Sequence, residues 1–219
     1  GPARAISLDA PRSASGDAPE ERGGEEIAFV LLTSGTTARP KRVPLSHRQI
    51  LASARGHRRA LALEPGDRCL DLMPLFHING LMMLIASLEA GSVVVCPPRF
   101  EAARVFAWLE ETRPTWVNGT PTVHQGILGQ AALDEETAVP IAARAGLRFI
   151  RSASSALPPR LREEMERLFA APVIESYGQT ETATLVAVTP LARGAGKTGS
   201  AGVSAGPGIA IIDPDGRPR

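Results

Sequence analysis

Cysteine is nearly absent from this chain of 219 residues, where Cys69 and Cys96 are the only two. They lie in separate apolar runs with no CxxC or Cys/His cluster, so they read as buried free thiols in a reducing cytosol. No run of about 18 apolar residues occurs, and no transmembrane helix is expected. The most apolar segment, Phe76 to Leu88, is interrupted by His77, Asn79 and Ser87. Charge of one sign is not in excess either. Lys plus Arg number 24 against 23 Asp plus Glu, a formal net charge of +1. Composition therefore points to neither nucleic acid nor an anionic membrane surface. His47, His57, His77 and His124 have no metal-ligand spacing, so no zinc site is expected. No signal peptide is visible, and Gly1-Pro2 reads as a remnant of tag cleavage.

What is present suits a globular protein. Hydrophobic residues make up 43% and charged residues 21%, enough for a sizeable core in one large or two small domains. Residues 3–24, rich in Ala, Pro, Gly, Ser and charge, read with the tag remnant as a flexible leader over 1–24. From Ile27 onward strand-like runs alternate with helical patterns. Strands are expected at 27–32, 68–73, 92–96, 115–118, 147–151, 173–174, 184–188 and 209–212. Helices are expected at 46–61, 79–89, 101–111, from Pro121, and at 159–169; residues 133–145 fit neither pattern. A turn is expected at Asp213-Pro214-Asp215-Gly216. The alternation predicts an α/β fold, a layered α-β-α arrangement with a largely parallel sheet. Ligands bind such sheets at the carboxyl ends of the strands.

Between the strand at 27–32 and Ser46-His47-Arg48-Gln49, a Ser-x-x-Gln capping box, runs Thr33-Ser34-Gly35-Thr36-Thr37-Ala38-Arg39-Pro40-Lys41. Hydroxyls, backbone N–H groups, a glycine and a lysine suit it to oxyanions. It reads as a phosphate-holding loop or as a polar strand-to-helix connector. Tyr177-Gly178-Gln179-Thr180-Glu181 contains the only tyrosine. Tyr177 could stack on a ring, Thr180 could donate to a phosphate and Glu181 could hold Mg²⁺; alone, the segment reads rather as a turn with a surface carboxylate. Gly194-Ala195-Gly196-Lys197-Thr198 ends like a Walker loop, but Leu191 stands where its first glycine belongs and no helix pattern follows. Gly202-Val203-Ser204-Ala205-Gly206 matches a hydrolase elbow without a following helix or a later histidine. Arg48, Arg55, Arg58 and Arg59 read as a solvated helix face. His77, in an apolar context, reads by itself as a core histidine.

Taken together, these stretches resemble the adenylate-forming acyl-CoA synthetase superfamily. That family's loop is Thr-Ser-Gly-Thr-Thr-Gly-x-Pro-Lys-Gly, matched here from Thr33 to Arg42. Pro74-Leu75-Phe76-His77-Ile78-Asn79-Gly80 looks like its acyl-site segment, Ser154-Ser155-Ala156-Leu157-Pro158 like its adenine-contact turn, and Tyr177–Glu181 like its Tyr-Gly-x-Thr-Glu motif. The motifs keep the family's order from about Ile27 to the end. Phe76-His77 and Gln179 look like CoA ligases, since peptide-synthetase domains usually carry proline at the position of Gln179. Residues 97–100, 121–125 and 148–152 are similar to the branch containing oxalate and other short-chain acid ligases.

The resemblance implies ATP-dependent activation of a carboxylic acid to an acyl-adenylate, then transfer to a thiol. It implies ATP, Mg²⁺ and CoA as cofactors, with a carrier-protein thiol as the alternative acceptor. Thr33, Ser34, Gly35, Thr36, Thr37 and Lys41 would hold the β- and γ-phosphates. Thr180 would contact the α-phosphate and Glu181 would bind Mg²⁺. Ser154, Ser155, Ala156, Glu175, Ser176, Tyr177, Gly178 and Gln179 would line the adenine site, and His77 would border the acyl site. Thr180, Glu181, Lys41 and His77 are the catalytic candidates. By the same resemblance, residues 25–219 would be a partial AMP-binding domain without the C-terminal lysine-bearing domain, and so inactive alone. A catalytically silent nucleotide-binding module is the competing expectation, because Ala38 and Arg42 replace family glycines. If position 38 needs a positive φ, alanine there is strained. Restoring glycine at each position and measuring ATP affinity of the full-length gene product tests the silent reading: a gain shows an impaired loop, and no gain shows tolerated replacements.

Overall fold

A computed structural model of the chain describes residues 4–6, 23–33, 40–192, 196–197 and 199–218. The elements are β1 (Arg4–Ile6), β2 (Ile27–Thr33), β3 (Lys41–Ser46), α1 (His47–Ala60), β4 (Arg68–Asp71), α2 (Ile78–Glu89), β5 (Val93–Cys96), α3 (Val105–Thr112), β6 (Trp116–Gly119), α4 (Pro121–Leu133), α5 (Glu135–Arg144), β7 (Phe149–Ala153), α6 (Pro159–Phe169), β8 (Val173–Tyr177), β9 (Ala187–Val188) and β10 (Val203–Ser204). Local chemistry sets several of the boundaries. Ser46 and Gln49 form the expected reciprocal box at the start of α1. Thr120 caps α4, with Pro121 in its first turn. Gly91 turns the chain out of α2 at φ +69°.

The main sheet has the order β1-β5-β4-β6-β7-β8-β9-β10. β5, β4, β6, β7 and β8 run parallel, each pair joined through helices. β1, β9 and β10 add antiparallel edges. Parallel strands buried on both faces need two apolar residues side by side, one for each face. The doublets are Cys69-Leu70, Val94-Val95, Trp116-Val117, Phe149-Ile150 and Val173-Ile174. The first members of the Cys69, Val94, Trp116 and Phe149 doublets, with Ile174, pack under α1, α2 and the β2–β3 hairpin. Leu70, Val95, Val117, Ile150 and Val173 pack under α3 to α6. The expected layered α/β fold with a largely parallel sheet is the one observed.

Several expectations change. The loop from Thr33 to Lys41 does not run from a strand into a helix. β2 and β3 pair antiparallel, with Thr33 opposite Lys41, in a separate two-stranded sheet. The cause is an alternation over 41–46 in which Val43 and Leu45 turn inward while Lys41, Arg42 and Pro44 stay exposed. The strand expected at 209–212 does not form. Ile209, Ile211 and Ile212 are exposed, and the Asp213–Gly216 turn leaves an isolated bridge from Ile212 to Pro218. Proline has no N–H with which to continue a ladder. Residues 135–144 form α5 despite Pro140, and the helix expected at 101–111 begins as a 3₁₀ turn at Ala102–Arg104. Within the segment taken as leader, Arg4–Ile6 forms the edge strand β1. No helix of the described residues is long and apolar enough to cross a membrane.

The sheet core predicts a clear contrast in stability. Ile150→Ala empties a fully buried position and should cost about 2–5 kcal/mol. Leu133→Ala trims a side chain that is 83% exposed and should change stability by no more than about 0.5 kcal/mol. Urea unfolding of both variants checks the ranking.

Candidate active site

The parallel strands deliver four connections to one edge: Leu72–His77 after β4, Thr120 after β6, Ser154–Pro158 after β7, and Gly178–Thr184 after β8. The last is tightly built. A side-chain carbon at Gly178 would lie 2.1 Å from the Thr184 backbone, so only glycine permits this crossing. Residues 180–182 then form a 3₁₀ turn, closed by a hydrogen bond of 3.0 Å from the Gln179 amide to the Thr182 hydroxyl. Ala183 and Thr184 leave it with φ of 47° and 66°.

Glu181, on that turn, meets Lys41 from the hairpin. Lys41 Nζ lies 3.0 Å from Glu181 Oε1, with side-chain exposures of 63% and 41%. The Glu181 carboxyl is held below the usual carboxylate range by its own backbone N–H and then by Lys41. An exposed pair contributes little stability; it does place a mobile cation and a carboxylate at one point. Thr33 is opposite Lys41 in the hairpin. Ser34, Gly35, Thr36 and Thr37, and also Ala38, lie outside the described residues. Arg42 is exposed on β3.

The other expected site residues divide into exposed and engaged groups. Tyr177 is 48% exposed, and its hydroxyl accepts a 3.3 Å hydrogen bond from Gln179 Nε2. Ser154, Ser155 and Ala156 are exposed, with Ser154 at φ 76°. Ser176 is buried, and its hydroxyl accepts from Arg151 Nε at 3.1 Å. Glu175, on the opposite face of β8, has its carboxylate 3.8 Å from Arg162 Nη1. His77 is no core histidine: it is exposed and caps α2, its Nδ1 accepting from the Asn79 amide at 3.2 Å. The core histidines are His57 and His124.

A buried polar cluster that sequence reasoning missed lies directly beneath these loops. Arg151 Nη1 donates to Asn79 Oδ1 at 2.6 Å and to Asn118 Oδ1 at 2.7 Å. Asn118 Nδ2 donates to Asp71 Oδ1 at 2.8 Å. Asn79 Nδ2 donates to Ser154 Oγ at 3.3 Å. Burial pushes the Asp71 carboxyl up to about 7 and the Arg151 guanidinium down to about 10, so Arg151 remains charged near neutral pH. One signal was available. Asp71, Asn118 and Arg151 each follow an apolar doublet of a buried strand, at paired positions across β4, β6 and β7.

The apparent Walker and hydrolase matches fall away. Among the described residues after Thr198 there is a short strand and no helix, and Ser204 Oγ donates to Pro207 O at 2.6 Å. Gly194, Ala195 and Thr198 lie outside the described residues. On α1, Arg48 pairs with Glu25 and Arg55 with Glu89, as expected of a solvated face.

The family described as AMP-binding enzyme matches this sequence over residues 3–219. The chain belongs to that family. It is 38% identical over 196 residues to an oxalate–CoA ligase of Arabidopsis thaliana, covering 88% of this chain and 37% of the relative. It is 40% identical over 194 residues to a sulfoacetate–CoA ligase of Cupriavidus necator, covering 87% and 36%. The chain thus spans little more than a third of the length of these relatives. Among solved structures, the N-terminal domain of FACL13 from Mycobacterium tuberculosis superposes with a TM-score of 0.81 at 24% identity, covering 94% of this chain and 50% of that one. O-succinylbenzoate Coenzyme A synthetase from Bacillus subtilis, in complex with AMP, gives 0.75 at 30% identity, covering 90% and 39%.

Buried titratable groups set the acid response expected of this family member. Burial lowers His57 to about 3 and His124 to about 4 from 6.5, while Asp71 rises to about 7 from 3.8. Between pH 6.5 and 4 the unfolded chain takes up two histidine protons that the folded chain refuses, which costs stability as pH falls. Asp71 opposes this with one proton held only in the folded state. The net loss is about 1.4 kcal/mol per pH unit. Asp71→Asn removes the opposition and should roughly double that slope in urea midpoints from pH 6.5 to 4.5; an unchanged slope contradicts the assignment.

Proposed function

We propose that this chain is the nucleotide- and acid-binding core of an ATP-dependent acid–CoA ligase. The contact between Lys41 and Glu181 carries the reading, because it joins residues 140 positions apart at the edge where Tyr177 and Ser154–Ala156 are exposed. In this reading a carboxylate attacks the α-phosphate of ATP, forming an acyl-adenylate and releasing pyrophosphate. The CoA thiol then displaces AMP. Negative charge concentrates on phosphate oxygens in the first step, so fixed donors and cations lower the barrier.

Thr33, Ser34, Gly35, Thr36, Thr37 and Lys41 would hold the β- and γ-phosphates, and Lys41 would exchange Glu181 for phosphate when nucleotide binds. Thr180 would meet the α-phosphate. Tyr177, Gly178 and Gln179 with Ser154, Ser155 and Ala156 would frame the adenine, and His77, at the mouth of α2, would border the acid. For Glu175 and Ser176 the role is narrower: their side chains engage Arg162 and Arg151, leaving backbone groups for the ligand. Mg²⁺ suits Glu181, since this ion is held by one or two carboxylates together with substrate phosphates and water. Among the described residues no cluster of three metal-ligating side chains exists. When bound it would supply neutralisation of phosphate charge.

Relatives named for oxalate and sulfoacetate support a short acid as substrate. Acid-dependent exchange of labelled pyrophosphate into ATP by the full-length gene product is the direct test, run with oxalate, sulfoacetate and aromatic acids. Exchange should appear with short acids, fall roughly 100-fold or more in Glu181→Gln, and require more ATP in Lys41→Ala. No exchange with any acid sinks the proposal.

A further inference from the structure

We propose that Arg151 is a positioning residue that holds the acid-side and nucleotide-side loops in one register. The inference rests on the ligase reading for the identity of those loops. The geometry itself is independent of it. The Arg151 side chain is fully buried in the end of the sheet, and its donors reach three separate elements. Nη1 holds Asn79 at 2.6 Å, in the first turn of α2 and two residues beyond His77. The same nitrogen holds Asn118 at 2.7 Å, at the end of β6. Nε holds Ser176 at 3.1 Å, immediately before Tyr177. Asn79 continues the chain to Ser154, at the head of the exposed Ser154–Ala156 turn.

Positioning differs from simple stabilisation here in two respects. First, a buried cation is a poor way to stabilise a core. Desolvation offsets most of its attraction, and apolar replacements often match or exceed it. What a guanidinium supplies is direction, since its planar fork fixes several acceptors at once. Second, its acceptors sit near the carboxyl ends of β6 and β8 and in the first turn of α2, and none lies in the apolar doublets that make the core. Asn118 aligns the fork from below and is itself held by Asp71. A shift of α2 at Asn79 is therefore felt at Ser154 through one hydrogen bond and at Ser176 through two, by way of Arg151. The acid and the nucleotide would be brought together by the same side chain, although it touches neither.

The experiment uses the full-length gene product carrying Arg151→Lys, and separately Asn118→Ala. Lysine keeps the buried charge near Asp71 but not the fork. Asn118→Ala keeps Arg151 but frees its orientation. ATP affinity is read by calorimetry, which needs no turnover, and kinetic constants are corrected for the folded fraction. Arg151→Lys should weaken ATP binding and raise KM for the acid, each by roughly 10-fold, and Asn118→Ala should do the same to a smaller extent. A merely structural residue would lower the folded fraction, and so the apparent kcat, with ATP affinity and both KM values unchanged. That outcome in the folded fraction of either variant overturns the proposal. If Arg151→Lys does not fold, Asn118→Ala decides. Exchange by the wild type with unshifted ATP affinity in the variants removes positioning and leaves the ligase reading intact. A wild type that binds ATP without any acid-dependent exchange, but loses affinity in the variants, removes the ligase reading and keeps the positioning role.

Discussion

A parallel sheet covered on both faces has almost nowhere to place a polar side chain except at the ends of its strands. Each of β4, β6, β7 and β8 carries an apolar pair divided between the two layers that cover the sheet. Polar chemistry can begin only where that pairing stops. Asp71, Asn118, Arg151 and Ser176 occupy the stop, and the loops above them carry the exposed groups. Burial makes unsatisfied polar atoms costly, and these residues bond to one another through Asn118 Nδ2 and through Arg151 Nη1 and Nε. Their mutual bonds in turn fix where the loops leave the sheet.

The hairpin solves a different problem. Its strands pair with each other rather than joining the parallel sheet. Val43 and Leu45 anchor it on the α1 and α2 layer, and Lys41, the first residue of β3, meets the connection after β8. Lys41 reaches Glu181 by this route, not by a strand-to-helix turn. The carboxylate side of the meeting is set by Gly178, whose missing side chain lets the chain recross its own backbone at Thr184. One partner thus depends on an apolar anchor and the other on an absent atom.

The layered fold was legible because periodicity carries it: the apolar doublets, the Ser46–Gln49 box and Pro121 each act locally and gave the correct elements. The hairpin was not, because Pro44 and two basic residues disguise an alternation that becomes a strand only against β2. The segment 209–212 erred the other way, having strand composition but no ladder to join. At the site, the motif order marked Lys41, Glu181, Tyr177 and the Ser154 turn, and the structure brings these to one edge. Sequence could not show that Ser176 faces down to Arg151, nor that His77 caps a helix instead of filling the core. Such facts depend on which residue lies across the sheet, a relation between positions far apart in the chain. The Arg151 cluster left a trace, a polar residue after the doublets of β4, β6 and β7, but a trace has meaning only once strand order and register are known.

The two tryptophans of the chain stand on opposite sides of the sheet. Trp108 lies in α3 within one apolar layer, and Trp116 projects from β6 into the other, stacked on Phe149 with ring centroids 5.2 Å apart. Each indole is therefore an optical gauge of its own layer. If one layer loosens before the other during unfolding, the fluorescence of the two would part company, and replacing either tryptophan with phenylalanine would leave the remaining one to report which face of the sheet lets go first.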